Sequence, residues 1–173
     1  MYQVSDKWVQ DRLAMAAKTG YVTVAFGLRL RTPMMAQTIM GLRSTPYEAE
    51  AEGRTAGNAM GQSYCMLNSR AAMAFMRKVR LSPYRLRIRL CAQIHDAMYF
   101  LVDNDIEVIH WLNEHLVQEV RWQELPEIQH PIVKLGGEVS IFYPTWAQEC
   151  VIPNGADRDT IRQRAKEHIE ANG

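Results

Sequence analysis

Between Arg85 and Ile94 polar and apolar positions alternate. Arg85, Arg87, Arg89 and Gln93 share one face, and Leu86, Ile88, Leu90 and Ile94 share the other. This is the period-2 pattern of a half-buried strand. After the polar pair His95-Asp96 the chain is apolar again from Ala97 to Val102, so a β-hairpin bent at His95-Asp96 is predicted. Elsewhere the period lengthens to that of a helix. Trp8, Val9, Leu13, Ala16 and Ala17 predict an amphipathic helix over residues 5–18, with Ser5 or Asp6 to cap it and Gly20 to end it. Residues 21–26 and 28–32 read as two short strands of a hairpin around Gly27, stopped by Pro33. The stretch from Met34 to Pro46 has no clean period and reads as irregular chain or a short helix.

From Tyr47 to Lys78 there is no proline and much Ala, Met, Glu and Arg, which predicts one long helix. Gly53, Gly57 and Gly61 lie inside it. Each costs about 1 kcal/mol relative to alanine, so a close approach of another backbone or of a ligand is expected there. Pro83 ends this helix. A second helix runs from Asp103-Asn104-Asp105 to Val120 with Ile106, Ile109, Leu112, Leu116 and Val120 as its core stripe. Its His110 and His115 are five apart, a poor spacing for shared metal ligation, and are assigned no chemistry. A final strand spans 137–143 before Pro144, and residues 157–170 form a charged docking helix with Ile161, Ala165 and Ile169 as its stripe.

The helices and hairpins suit an α+β fold, and the 173 residues, with 47% hydrophobic and 23% charged side chains, suit one soluble domain with a real core or equally a large piece of one. No apolar run is long enough for a membrane span and the N-terminus lacks the apolar segment of a signal peptide, so a cytoplasmic setting is expected. Three widely spaced cysteines argue against a disulfide framework or a zinc site. The net charge of +1 announces no polyanionic partner. Yet Arg77, Lys78, Arg80, Arg85, Arg87 and Arg89 follow one another with no acid among them, either a solvated basic face or a field that meets phosphates.

Two further constellations can carry chemistry. His95-Asp96 is either an ordinary polar turn or a carboxylate held rigidly enough to meet a metal ion. Arg54, Asn58 and Gln62, at i, i+4 and i+8, share one helical face. They form either a solvent stripe or a row of donors for purine N3 and pyrimidine O2, the minor-groove acceptors that every base pair displays.

In these stretches the chain resembles the C-terminal part of the polymerase domain of family A DNA polymerases, the DNA polymerase I type. Gly20-Tyr21-Val22-Thr23 with residues 27–33 is similar to the family's GYVET…GRRLYLP hairpin. Glu52, Arg54, Asn58, Ala59 and Gln62 are similar to its ERAAINAPMQG helix. Gln93-Ile94-His95-Asp96 is similar to the QVHDE of motif C, the palm hairpin that carries a metal-binding aspartate. The resemblance covers residues 8–146 and closes on Gly137-Glu138-Val139 and Trp146. It implies a partial polymerase palm: an antiparallel sheet with the motif C hairpin packed against long helices. It divides the chain into a fingers/palm junction (1–46), a palm part (47–150) and a C-terminal tail helix (151–173).

The resemblance also implies the chemistry. In this family a primer 3′-oxygen attacks a nucleotide α-phosphate between two divalent cations roughly 3.5 to 4 Å apart. Asp96 would be the catalytic and Mg²⁺-binding carboxylate. Gln93 and His95 would lie near the primer end, and Arg54, Asn58 and Gln62 would hold primer-template DNA from its minor groove. The family's acid after the motif C aspartate is Ala97 here, and motif A and the nucleotide-binding O helix have no counterpart. Asp103, Asp105, Glu48, Glu50 and Glu52 are not obvious substitutes. The expectation is therefore a C-terminal subunit of a split, phage-like DNA polymerase. It would be inactive alone and completed by a companion polypeptide with motifs A and B that brings in deoxynucleoside triphosphates. The alternatives are a non-catalytic duplex-binding or assembly subunit and a truncated product.

Overall fold

The computed structural model describes residues 3–39, 46–133 and 135–172. Its architecture is α+β, with helices and three two-stranded antiparallel sheets among the described residues. No described helix is long and apolar enough to cross a membrane. The chain forms two compact units, residues 1–66 and 67–173.

In the first unit α1 (Gln3–Thr19) ends at Gly20, whose φ of +78° lets its N–H donate back to Ala16 O at 2.8 Å. Strands β1 (Tyr21–Thr23) and β2 (Arg29–Arg31) pair Tyr21 with Arg31 and Thr23 with Arg29. The expected hairpin is present, but its strands are only three residues long. A 3₁₀ turn, Ala25–Gly27, occupies the rest, with Phe26 and Gly27 both at positive φ. Thr32 is fully buried: its hydroxyl donates to Ala16 O and its N–H to Gly20 O, tying the hairpin to α1. Pro33 opens α2 (Pro33–Ile39), a position where its missing N–H costs nothing. The short-helix reading of the segment after Pro33 thus holds as far as Ile39, and residues 40–45 lie outside the described residues.

The long helix predicted over 47–78 is two. α3 (Pro46–Gln62) and α4 (Met66–Leu81) are separated by a 3₁₀ turn, Ser63–Cys65. The Ser63 hydroxyl donates to Met60 O and accepts from the Ala25 N–H, a competition with helical backbone bonding that favours a tightened turn. Ala56 and Met60 of α3 join Ala16 and Val22 in the core of this unit, with Val9, Leu13, Val24 and Leu30 against them. The glycines do not mark a close backbone approach. A Cβ at Gly53 would meet Met35 Sδ at 3.8 Å and one at Gly57 would meet Val9 Cγ1 at 4.0 Å, both ordinary contacts. At Gly61 there is open space among the described residues.

In the second unit α4 and α5 (Ile106–Val120) carry the hairpin of β3 (Ile88–Ile94) and β4 (Ala97–Val102). Phe75, Val79, Ile88, Val108, Leu112 and Leu116 form the core, covered by Met98, Phe100 and Val102 of β4. Phe75 meets Phe100 edge to face at 5.4 Å between centroids. Asp105 caps α5 by accepting from the Glu107 N–H. Arg87 fastens the base of the hairpin to this cap, with bonds of 2.7 Å to both Asp103 and Asp105. The predicted stripe of α5 splits between two cores: Leu112 and Leu116 face the first, while Ile106 and Ile109 meet Cys150, Ile152, Ala156 and Ile161.

That second core belongs to β5 (Val139–Phe142), β6 (Glu149–Ile152) and α6 (Arg158–Asn172). The pairing of β5 with β6, Val139 opposite Ile152, was not anticipated. The segment Glu149-Cys150-Val151-Ile152 is too short for its alternation to stand out. The predicted C-terminal helix docks on this strand pair with Ile161 fully buried, while Ile169 stays half exposed.

Candidate functional site

The sequence places Asp96 at a hairpin tip, and the structure does the same. Ile94 pairs with Ala97, leaving His95-Asp96 as a two-residue turn. His95 has a φ of +53°, the left-handed geometry that suits such turns to the twist of the strands. Both side chains are exposed. Two features of the approach to the tip differ from the predicted alternation. Arg85 and Leu86 lie in the turn after Pro83 rather than in the strand, and Leu86 is 71% exposed.

The other difference is a β-bulge at Cys91. Leu90 pairs with Phe100, but the next partner of Tyr99 is Ala92. One extra residue reverses the side to which every later side chain points. Gln93 therefore stands opposite Met98, on the side of the ribbon that faces the helices, and not with Arg89. Its Nε2 donates to Ser69 Oγ of α4 at 3.0 Å. Ile94 falls on the other side with Ala97 and Tyr99 and is 49% exposed, and Tyr99 stacks on Trp146 at 4.9 Å. Neither Ser69 nor the bulge was foreseen. The only trace in the sequence is the lapse of polar alternation at Cys91-Ala92, where two small residues follow Leu90.

Arg54, Asn58 and Gln62 all lie on the exposed face of α3, opposite the buried Ala56 and Met60. Arg54 pairs with Glu50 one turn earlier, a surface ion pair that a phosphate or a base edge can displace at little cost. Among the described residues the side-chain amides of Asn58 and Gln62 have no hydrogen-bond partner.

The basic run is less uniform in space than in sequence. Lys78 meets Glu119 at 2.7 Å, and the same carboxylate takes Arg70 at 2.7 Å, whose guanidinium also covers the Trp122 ring at 4.0 Å. Arg87 is committed to Asp103 and Asp105, and their hydrogen bonds hold its pKa above the ordinary value. Arg77, Arg80, Arg85 and Arg89 are exposed and form no ion pair among the described residues.

The acids of the described residues do not assemble a metal centre. Among the described residues no group of three or more His, Cys, Asp or Glu side chains is placed to hold a metal ion. Asp103 and Asp105 serve Arg87, whose hydrogen bond, with that of the Glu107 N–H, holds the Asp105 carboxyl below its usual range. Glu50 serves Arg54, and Glu52 accepts the Met35 N–H of α2 at 2.8 Å, satisfying one of the free donors at that helix start. Asp96 alone supplies one or two oxygens, whereas a Mg²⁺ ion asks for six ligands in octahedral array, so this chain's residues do not by themselves fit a two-cation centre. Comparison with known protein families, with characterised proteins and with solved structures finds no match to this chain.

Proposed function

We propose that the chain is the C-terminal palm part of a family A DNA polymerase, phage-like and split, acting in the cytoplasm. It contributes Asp96 and duplex contacts to template-directed DNA synthesis. The observation that carries this reading is the agreement of one hairpin with its motif: Gln93-Ile94-His95-Asp96 ends in a two-residue turn that presents Asp96 to solvent on strands anchored to α4 and α5. Support also comes from the exposed row Arg54, Asn58 and Gln62 on α3, whose donors suit the minor groove irrespective of base sequence. Because no companion carboxylates stand with Asp96 among the described residues, Mg²⁺-dependent synthesis is a property of an assembled pair. The second polypeptide carries motifs A and B and binds the deoxynucleoside triphosphate.

The test is co-purification from the native source followed by primer extension with Mg²⁺. The expected result is a companion with a second acidic palm motif and extension that Asp96→Ala abolishes; full activity in that variant removes the catalytic role. The solitary carboxylate favours one other reading, a non-catalytic duplex-binding or assembly subunit. In that case Arg54→Ala or Asn58→Ala weakens DNA binding, while Asp96→Ala leaves function intact.

A further inference from the structure

We propose that Ser69 is a positioning residue for Gln93 in duplex binding, an assignment that rests on the polymerase reading above. The bulge at Cys91 turns Gln93 toward α4, and there its Nε2 donates to Ser69 Oγ at 3.0 Å. Without the bulge Gln93 would point to the opposite side and the two could not meet. A glutamine has three rotatable bonds whose freedom must be surrendered on binding. The Ser69 hydroxyl fixes the plane of the amide beforehand and occupies one N–H. The second N–H remains for an acceptor in the minor groove, purine N3 or pyrimidine O2. Both side chains are exposed, so a duplex can reach the amide while the serine holds it. Preorganisation of this kind strengthens binding without adding a contact to the ligand.

The experiment is fluorescence anisotropy of the full chain with a labelled primer-template duplex in low salt. Gln93→Ala and Ser69→Ala are each expected to weaken binding about fivefold. The double variant is expected to be no weaker than either single one, and Ser69→Thr to restore the affinity. Replacing the primer-terminal purine by its 3-deaza analogue, which lacks the N3 acceptor, weakens the wild type similarly and leaves Ser69→Ala unchanged. Alanine favours a helix more than serine does, so Ser69→Ala keeps α4, as circular dichroism will show. Unchanged affinity in Ser69→Ala with loss in Gln93→Ala overturns the positioning role and leaves duplex binding standing, and additive losses do the same. No binding by the wild-type chain overturns the duplex reading and this assignment with it.

Discussion

Arg87 spends its charge inside the second unit, and that commitment sets how the unit responds to acid. Asp105 is held below its usual range first by the Arg87 side chain, Glu107 by Arg158, and Asp157 by Thr160. A carboxyl whose folded pKa is depressed contributes stability that is present above its unfolded value and is lost as pH falls through the folded one. The melting temperature is therefore expected to stay level from neutral pH down to about 5 and to fall below about 4, the unfolded carboxylate range. In Arg87→Met the acid slope should be shallower, because Asp105 then titrates nearer its unfolded value. An identical slope in the variant would show that these groups do not govern the loss. Glu119 is a different case, since its half-sheltered carboxylate bridges Arg70 and Lys78 between α4 and α5. Glu119→Gln leaves two cations facing a neutral amide, and chemical denaturation should report a loss of about 2 kcal/mol.

At the scale of elements, glycines that look alike in sequence part company. Gly61 sits in a helix with open space around it, so Gly61→Ala should stabilise the chain by about 0.5 to 1 kcal/mol in thermal unfolding. At Gly137 a Cβ would stand 3.0 Å from Val120 Cγ1, and Gly137→Ala should cost about 1 kcal/mol or more. The helices α1, α5 and α6 were legible from apolar stripes sustained over several turns. In α5 the Asp105 cap agrees with the Leu112-Leu116 stripe, whereas Ser5 and Asp6 lie inside α1 rather than capping it. Both hairpin turns were legible from Gly27 and from His95-Asp96. The division of α3 from α4 was not, because it depends on a hydroxyl bridging residues 38 apart in sequence, Ala25 and Ser63. Nor was the side on which Gln93 lies, since a bulge adds a residue without leaving a residue type that announces it. Of the candidate site, the exposure of Asp96 and of the α3 row could be read from periodicity, and the hold of Ser69 on Gln93 could not.

Over the whole molecule, each of the two units has its own buried cluster, and the net charge is only +1. On the proposed duplex-binding reading, attraction to DNA comes from local cations rather than from an overall field. Arg77, Arg80, Arg85 and Arg89 remain for that purpose once Lys78 and Arg87 are committed. If three or four phosphates are met, the logarithm of the binding constant should fall against that of salt with a slope of about −3. Arg85→Ala and Arg89→Ala should each reduce that slope by about 1 without changing base preference, as titrations at several salt concentrations will show. A slope near zero would exclude phosphate contact by these arginines. The bulge at Cys91 bears on how this chain can vary. Among the described residues its exposed thiol reaches only the Arg89 carbonyl, at 3.4 Å, so many side chains can replace it. Removing the residue would leave Leu90 opposite Phe100, Ala92 opposite Tyr99 and Gln93 opposite Met98, so the ladder becomes regular and every side chain keeps its side. At this one position the strand is therefore tolerant of both spelling and length, and a library with six residues between Ile88 and the tip will retain folded members as well as one that keeps seven.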